Sequence, residues 1–151
     1  MADVVSPAVR SRMMAGIRSV DTRPEMLLRK GLHAKGFRFR LHDRKLPGKP
    51  DMVFAKHRAV LFVHGCFWHG HDCHLFKWPS TRAEFWRAKI ARNREVDMRA
   101  VNMLQLLGWR TGAVWECAVK GRTRLPEESV IKACSNWLAG KQPRIEIRGL
   151  E

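Results

Sequence analysis

Thirteen residues, His64 to Phe76 (HGCFWHGHDCHLF), hold four histidines, two cysteines and one aspartate around an adjacent Phe67–Trp68 pair. One metal ion cannot use all seven polar groups, so the segment must serve more than one chemistry. Cys66, His71 and Cys73 lie within eight residues, and Cys117 follows Cys73 by 44. Three thiolates and an imidazole form a soft tetrahedral set suited to zinc. Four protein ligands leave no open coordination position, so the expected role is structural, pinning the loop. The alternative is cysteines buried as small hydrophobes, which suits Cys134 in KACSNWL but not a loop rich in Gly and His.

His64 and His69 remain. His64 stands where an apolar run, Ala59 to Val63, passes into the loop, and Asp51 opens the preceding run. If the two runs pair as a hairpin, Asp51 and residues 62–64 share one edge of a sheet. That is the layout of the D…E-x-K nucleases, with one departure: Phe62-Val63-His64 occupies the E-x-K positions, so the second acidic ligand is missing. The main-chain carbonyl of Val63 could replace it as an oxygen ligand for Mg2+. His69, with an ordinary imidazole pKa near ~6.5, could deprotonate water at neutral pH. Asp97 falls on the apolar face of a long helix with Trp86, Ile90, Asn93, Val101 and Leu104, where an unpaired charge is costly. It reads either as the partner of a buried arginine or as the carboxylate that orients His69. Glu25 reads as a helix-capping residue or as an outer, water-mediated ligand of the metal. Phe67 and Trp68 are either core or a wedge that enters between base pairs.

The elements that must position these groups follow from local signals. Thr22-Arg-Pro-Glu25 is a capping box, opening a helix that Gly36 ends. Phe37, Phe39 and Leu41 alternate with Arg38 and Arg40 as a strand. LPGKPD, residues 46–51, is a turn, and 52–55 with 59–63 form a hairpin around Lys56-His57-Arg58. Thr81-Arg-Ala-Glu84 reads as a second capping box, starting the long helix that Gly108 stops. A strand over 109–115 and a helix from Pro126 to about Gly140 follow. The order α-β-β-β-α-β-α predicts an α/β fold, a mixed central sheet flanked by helices. Residues 1–20 read as a flexible arm that contacts DNA, 21–140 as one domain, and 141–151 as a mobile tail.

Charge narrows the partners. Lys and Arg number 29 against 14 acidic residues, a net +15 in 151 residues, which points to nucleic acid through counterion release. Arg87 and Lys89 on the long helix are candidate DNA contacts, to phosphates or to base edges. No apolar window approaches the ~18 residues of a membrane span, and MADVVSPAVR lacks a signal pattern, so the protein is expected to be intracellular.

RSRMMAGIRSVDTRPE, LPGKPDMVF, LFVHGCFWHGHDCHLFKWP, TRAEFW and VWEC together resemble the very short patch repair DNA mismatch endonucleases, over about residues 10–140. The resemblance implies a restriction-endonuclease-like core with a structural zinc and a Mg2+-dependent, strand-specific nicking activity. The implied substrate is duplex DNA with a T:G mismatch left by deamination of 5-methylcytosine, cut 5′ of the thymine. It makes Asp51 and the Val63 carbonyl the Mg2+ ligands and His69 the general base, with Glu25, His64 and Asp97 supporting them. Cys66, His71, Cys73 and Cys117 would bind Zn2+, and Phe67, Trp68 and Met14 would intercalate. Val63 stands where the family can have Thr, and Gly70 and Asp72 interrupt what can be a run of histidines. A MutL-type mismatch repair protein and a repair DNA polymerase are the implied partners of a cytoplasmic, nucleoid-acting monomer. The competing readings are a restriction enzyme cutting matched sites, a non-catalytic zinc DNA-binding module and an RNA-binding accessory protein.

Overall fold

The computed structural model describes residues 21–150; the expected arm, 1–20 with Met14, lies outside them. Helix α1 (Arg23–Ala34) starts at Thr22, whose hydroxyl accepts the Glu25 amide at 3.4 Å. The Glu25 carboxylate reaches back one residue further than a capping box requires, to the Asp21 amide at 3.1 Å. Strands β1 (Arg40–Leu41), β2 (Met52–Phe54) and β3 (Ala59–His64) follow. Then come α2 (Ala83–Leu106), β4 (Arg110–Trp115), α3 (Glu127–Ala139) and β5 (Arg144–Ile147).

The strands form one mixed sheet in the order β1-β2-β3-β4-β5. The first three pair antiparallel, with Met52 opposite Leu61 and Val53 opposite Val60, as the hairpin reading requires. β3, β4 and β5 are parallel, and α2 and α3 make the two crossovers. Side chains alternate across a strand. Met52, Phe54, Ala59 and Leu61 therefore pack with Leu28 and Leu32 of α1 and with Val130, Ile131 and Leu138 of α3. Val53, Val60 and Phe62 pack on the opposite face with Leu104 of α2. Because helices cover both faces, β2 is buried throughout and reads as a continuous apolar run. α1 and α3 touch closely at Gly31, where an added Cβ would collide with the Ile131 side chain.

Three expectations need correction. The Phe37–Leu41 strand shrinks to residues 40–41, although Phe37 and Phe39 still pack on the core. The capping box at Thr81 does not form: α2 starts at Ala83, and Arg82 takes the cap position with φ +54. The Arg82 guanidinium instead lies 4.2 Å from the centre of the Phe85 ring, an attraction that favours this start. The tail expected to be mobile supplies β5, whose Ile147 is buried against the core while its backbone pairs with β4. Cys134 is buried in α3, the apolar role its sequence context indicated, and burial pushes its thiol up to about 12.

Candidate functional site

The loop that follows β3 divides its side chains between two centres. On one side, Cys66, His71, Cys73 and Cys117 converge, with their ligand atoms all within 4.8 Å of one another. The Sγ atoms of Cys66 and Cys117 each lie 3.6 Å from His71 Nδ1. Parallel pairing of β3 with β4 causes this convergence, because it sets His64 beside Trp115. Cys66 and Cys117 then each lie two residues beyond a paired position. The Cys117 amide donates to Cys66 Sγ at 3.3 Å, and the Gly149 amide to Cys117 Sγ at the same distance. The His71 ring stacks on Trp115 at 3.9 Å. Burial pushes the Cys66 and Cys117 thiols up, so a cation is needed to hold them as thiolates. A buried set of three sulfur donors and one nitrogen donor, with N–H groups aimed at the sulfurs, fits zinc.

On the other side, Asp51 and His64 share the α2 face of the sheet. Asp51 precedes Met52 by one residue and so falls on the face of Val53; His64 stacks on Phe62, with ring centroids 5.5 Å apart. The Val63 amide donates to Asp51 Oδ2 at 2.6 Å. In an extended strand a residue's N–H and C=O point to the same edge. The Val63 carbonyl therefore faces the Asp51 side, as an oxygen ligand beside that carboxylate would. Asp51 is pushed up to about 6, first by burial and then by the negative charge of Glu25, while the Val63 amide opposes the rise. A carboxylate so placed gains from a cation beside it.

α2 lays Asp97 over this corner. Its Oδ2 is bonded to His69 Nδ1, the contact that the second reading of Asp97 requires. The bond leaves His69 Nε2 as the nitrogen that can accept a proton. His64 lies 4.2 Å from His69, ring to ring, and burial holds it down at about 4, so it is neutral at physiological pH. His64, His69 and Asp97 form a second group able to surround a cation, and Asp21, Glu25 and His42 a third.

Glu25 is both cap and part of this neighbourhood. Its Oε2 accepts from Arg29 at 2.8 Å and lies 3.1 Å from His42 Nε2, which is in turn 3.9 Å from Asp51 Oδ1. Arg29 and His42 escaped the sequence reading. They sit 13 residues apart in different elements, and no spacing rule joins them.

Phe67 and Trp68 are half-buried rather than free-standing. Phe67 packs on Phe76 and Trp86, with centroids at 5.8 and 5.2 Å, and Trp68 on Trp86 at 5.9 Å. The Asn93 amide group holds the Trp68 carbonyl at 2.8 Å. The cluster ends at the surface in Trp78 and Phe85, which are 52% and 44% exposed. Arg87 and Lys89 are exposed on the first turns of α2 beside it. The corner thus offers a half-buried carboxylate, a carboxylate-held imidazole and an aromatic ledge, bordered by cations. That combination can bind an anionic backbone and deliver water to it.

A family model described as DNA mismatch endonuclease Vsr matches residues 2–75. The chain is similar to a DNA mismatch endonuclease Vsr of Escherichia coli (strain K12), 46% identical over 147 residues, which cover 97% of this chain and 94% of that one. It is 50% identical over 117 residues to the type II nicking enzyme V.XorIIP of Xanthomonas oryzae pv. oryzae, covering 78% and 86%. To the type II nicking enzyme V.NmeAIP of Neisseria meningitidis it is 41% identical over 122 residues, covering 81% and 87%.

Proposed function

The chain belongs to the Vsr family of DNA mismatch endonucleases, and from that premise we propose that it nicks one strand of duplex DNA 5′ of the thymine of a T:G mismatch, using Mg2+. It is an endonuclease by family. The observation that carries the finer reading is the His69–Asp97 pair standing over the same strand ends as Asp51.

In this reading Asp51 and the Val63 carbonyl would hold Mg2+, with Glu25 as an outer, water-mediated ligand. When bound there, the ion would supply charge for the phosphate and acidify the attacking water. His69 Nε2 takes the proton of that water, and Asp97 fixes the ring and stabilises the imidazolium that results. His64, neutral and packed on His69, keeps a second positive charge away from that imidazolium. Cys66, His71, Cys73 and Cys117 would hold Zn2+ and so fix the loop, keeping His69 and the Phe67–Trp68 ledge in a common frame. Phe67, Trp68 and Met14 enter the stack at the mismatch, where unstacking costs least. Arg87 and Lys89 hold the backbone alongside. The enzyme acts as a monomer on nucleoid DNA in the cytoplasm, with a MutL-type protein and a repair polymerase completing the short patch. No helix of the described residues is long and apolar enough to cross a membrane.

The test is a Mg2+ nicking assay on strand-labelled duplexes carrying T:G in varied flanks, beside matched T:A and C:G duplexes and the Asp51→Ala protein. The expected result is one nick 5′ of the mismatched T, absent with Asp51→Ala. Equal cutting of matched duplex would replace this reading with a restriction enzyme. Binding with no nick in any flank would withdraw the roles of Asp51 and His69.

A further inference from the structure

His42 occupies a place that its local sequence does not account for. It follows β1 in the left-handed region, φ +47, and its amide donates to the Asp51 carbonyl at 3.2 Å. Asn or Gly would serve such a backbone position at least as well. The side chain reaches further. Nε2 lies 3.1 Å from Glu25 Oε2 on α1 and 3.9 Å from Asp51 Oδ1 at the head of β2.

Each of those carboxylates is already fixed through one oxygen. Glu25 Oε2 takes the Asp21 amide and the Arg29 guanidinium, and Asp51 Oδ2 takes the Val63 amide. The imidazole adds a further contact at Glu25 Oε2 and faces the second oxygen of Asp51, Oδ1, across the gap between a helix carboxylate that is 2% exposed and a strand carboxylate that is 19% exposed. Two neighbouring carboxylates repel, and an imidazole bonded to Glu25 and set 3.9 Å from Asp51 eases that repulsion before any cation arrives.

We propose that His42 is a positioning residue of the cation site, its imidazole tying Glu25 to Asp51 so that both carboxylates already face one hydrated divalent ion. The inference rests on reading Asp51 as a cation ligand. In this role the His42 imidazole donates from Nε2 to Glu25 and does not itself ligate the ion. A Gln side chain carries an amide nitrogen to the Nε2 position and can replace it. Asn suits the backbone but falls short of the gap.

The probe is Mn2+, titrated into the zinc-loaded full chain without DNA and followed by the electron paramagnetic resonance signal of the free ion. His42→Ala and His42→Asn are expected to weaken binding about tenfold or more, and His42→Gln to stay within about threefold of the wild type. Zinc content and thermal midpoint should be unchanged in all three. An Asn variant that binds like the wild type would overturn the proposal, leaving His42 only a turn. So would a Gln variant no better than Asn. Asp51→Ala separates the two levels: if it alone loses Mn2+, only the His42 inference fails. If it binds Mn2+ as the wild type does, the reading of Asp51 falls, and the role of His42 with it.

Discussion

The two centres around the loop are built on opposite principles, although His69 of one and His71 of the other are separated only by Gly70. The Cys66/His71/Cys73/Cys117 cluster is closed. Its ligands are buried or nearly so, backbone amides point at two of its sulfurs, and an aromatic ring covers its histidine. The Asp51 corner is open and uncomfortable. A half-buried carboxylate lies near another carboxylate, two imidazoles are in ring contact, and the surroundings hold Asp51 well above its ordinary range. The first arrangement suits a metal that never leaves, and the second a metal whose charge is needed when substrate arrives. The contrast teaches that one loop can join two donor groups of opposite character, each completed by residues from other elements.

The sharpest way to break this comparison is to strip each metal separately. EDTA at levels that stop nicking should leave the thermal midpoint and the zinc content unchanged. Cys66→Ser should lose zinc, drop the midpoint and abolish nicking together, read by zinc analysis, calorimetry and the nicking assay. If Cys66→Ser keeps full activity, the closed centre is dispensable and the comparison fails. A smaller effect is expected from Asp97→Asn, which keeps the shape of the pair but removes the charge that stabilises protonated His69. Nicking should slow by about 10- to 100-fold with DNA affinity unchanged, measured under single-turnover conditions.

The smallest effect is on stability, and its sign is the informative part. Raising the Asp51 pKa from 3.8 to about 6 means that the Mg2+-free folded chain loses stability as pH rises through that interval. His64 works the other way. Held down at about 4 from 6.5, it withdraws stability as pH falls through its own interval. The two slopes nearly cancel in the wild type. Asp51→Asn should therefore raise stability at pH 7 by up to about 3 kcal/mol and change little at pH 4. Denaturant unfolding of the Mg2+-free proteins at the two pH values checks it. A variant less stable than the wild type at pH 7 would mean that Asp51 is not strained by its surroundings.

Much of this was legible in the residues, for a local reason. The hairpin, the Thr22 cap and the Cys/His spacing each depend on neighbours within a few positions, where turn chemistry and strand alternation are decisive. The partner of Asp97 was half legible: helical periodicity put it on the apolar face, but only the fold chose between His69 and an arginine. β5 was hidden because RIEI is four residues between Pro143 and Gly149, and a parallel edge strand declares itself only by its partner. The bridge from His42 to Glu25 and Asp51 was hidden for the same reason, since it joins three elements through side chains alone. The failed cap at Thr81 was a conflict between two local signals, and the Arg82–Phe85 contact accompanies the start that the chain adopts.

The strap that follows β5 sets an order of events in synthesis. Arg148 grips Asp72, 76 positions earlier, and an added Cβ at Gly149 would collide with the Cys117 carbonyl, so the segment lies tight on the cluster. At about 5–20 residues per second, a ribosome needs roughly 4–15 s between making the loop and making its clasp. During that interval the Cys66, His71 and Cys73 side chains of the loop are already made while the clasp is not. The loop is thus fully held only after residues 148 and 149 have been made.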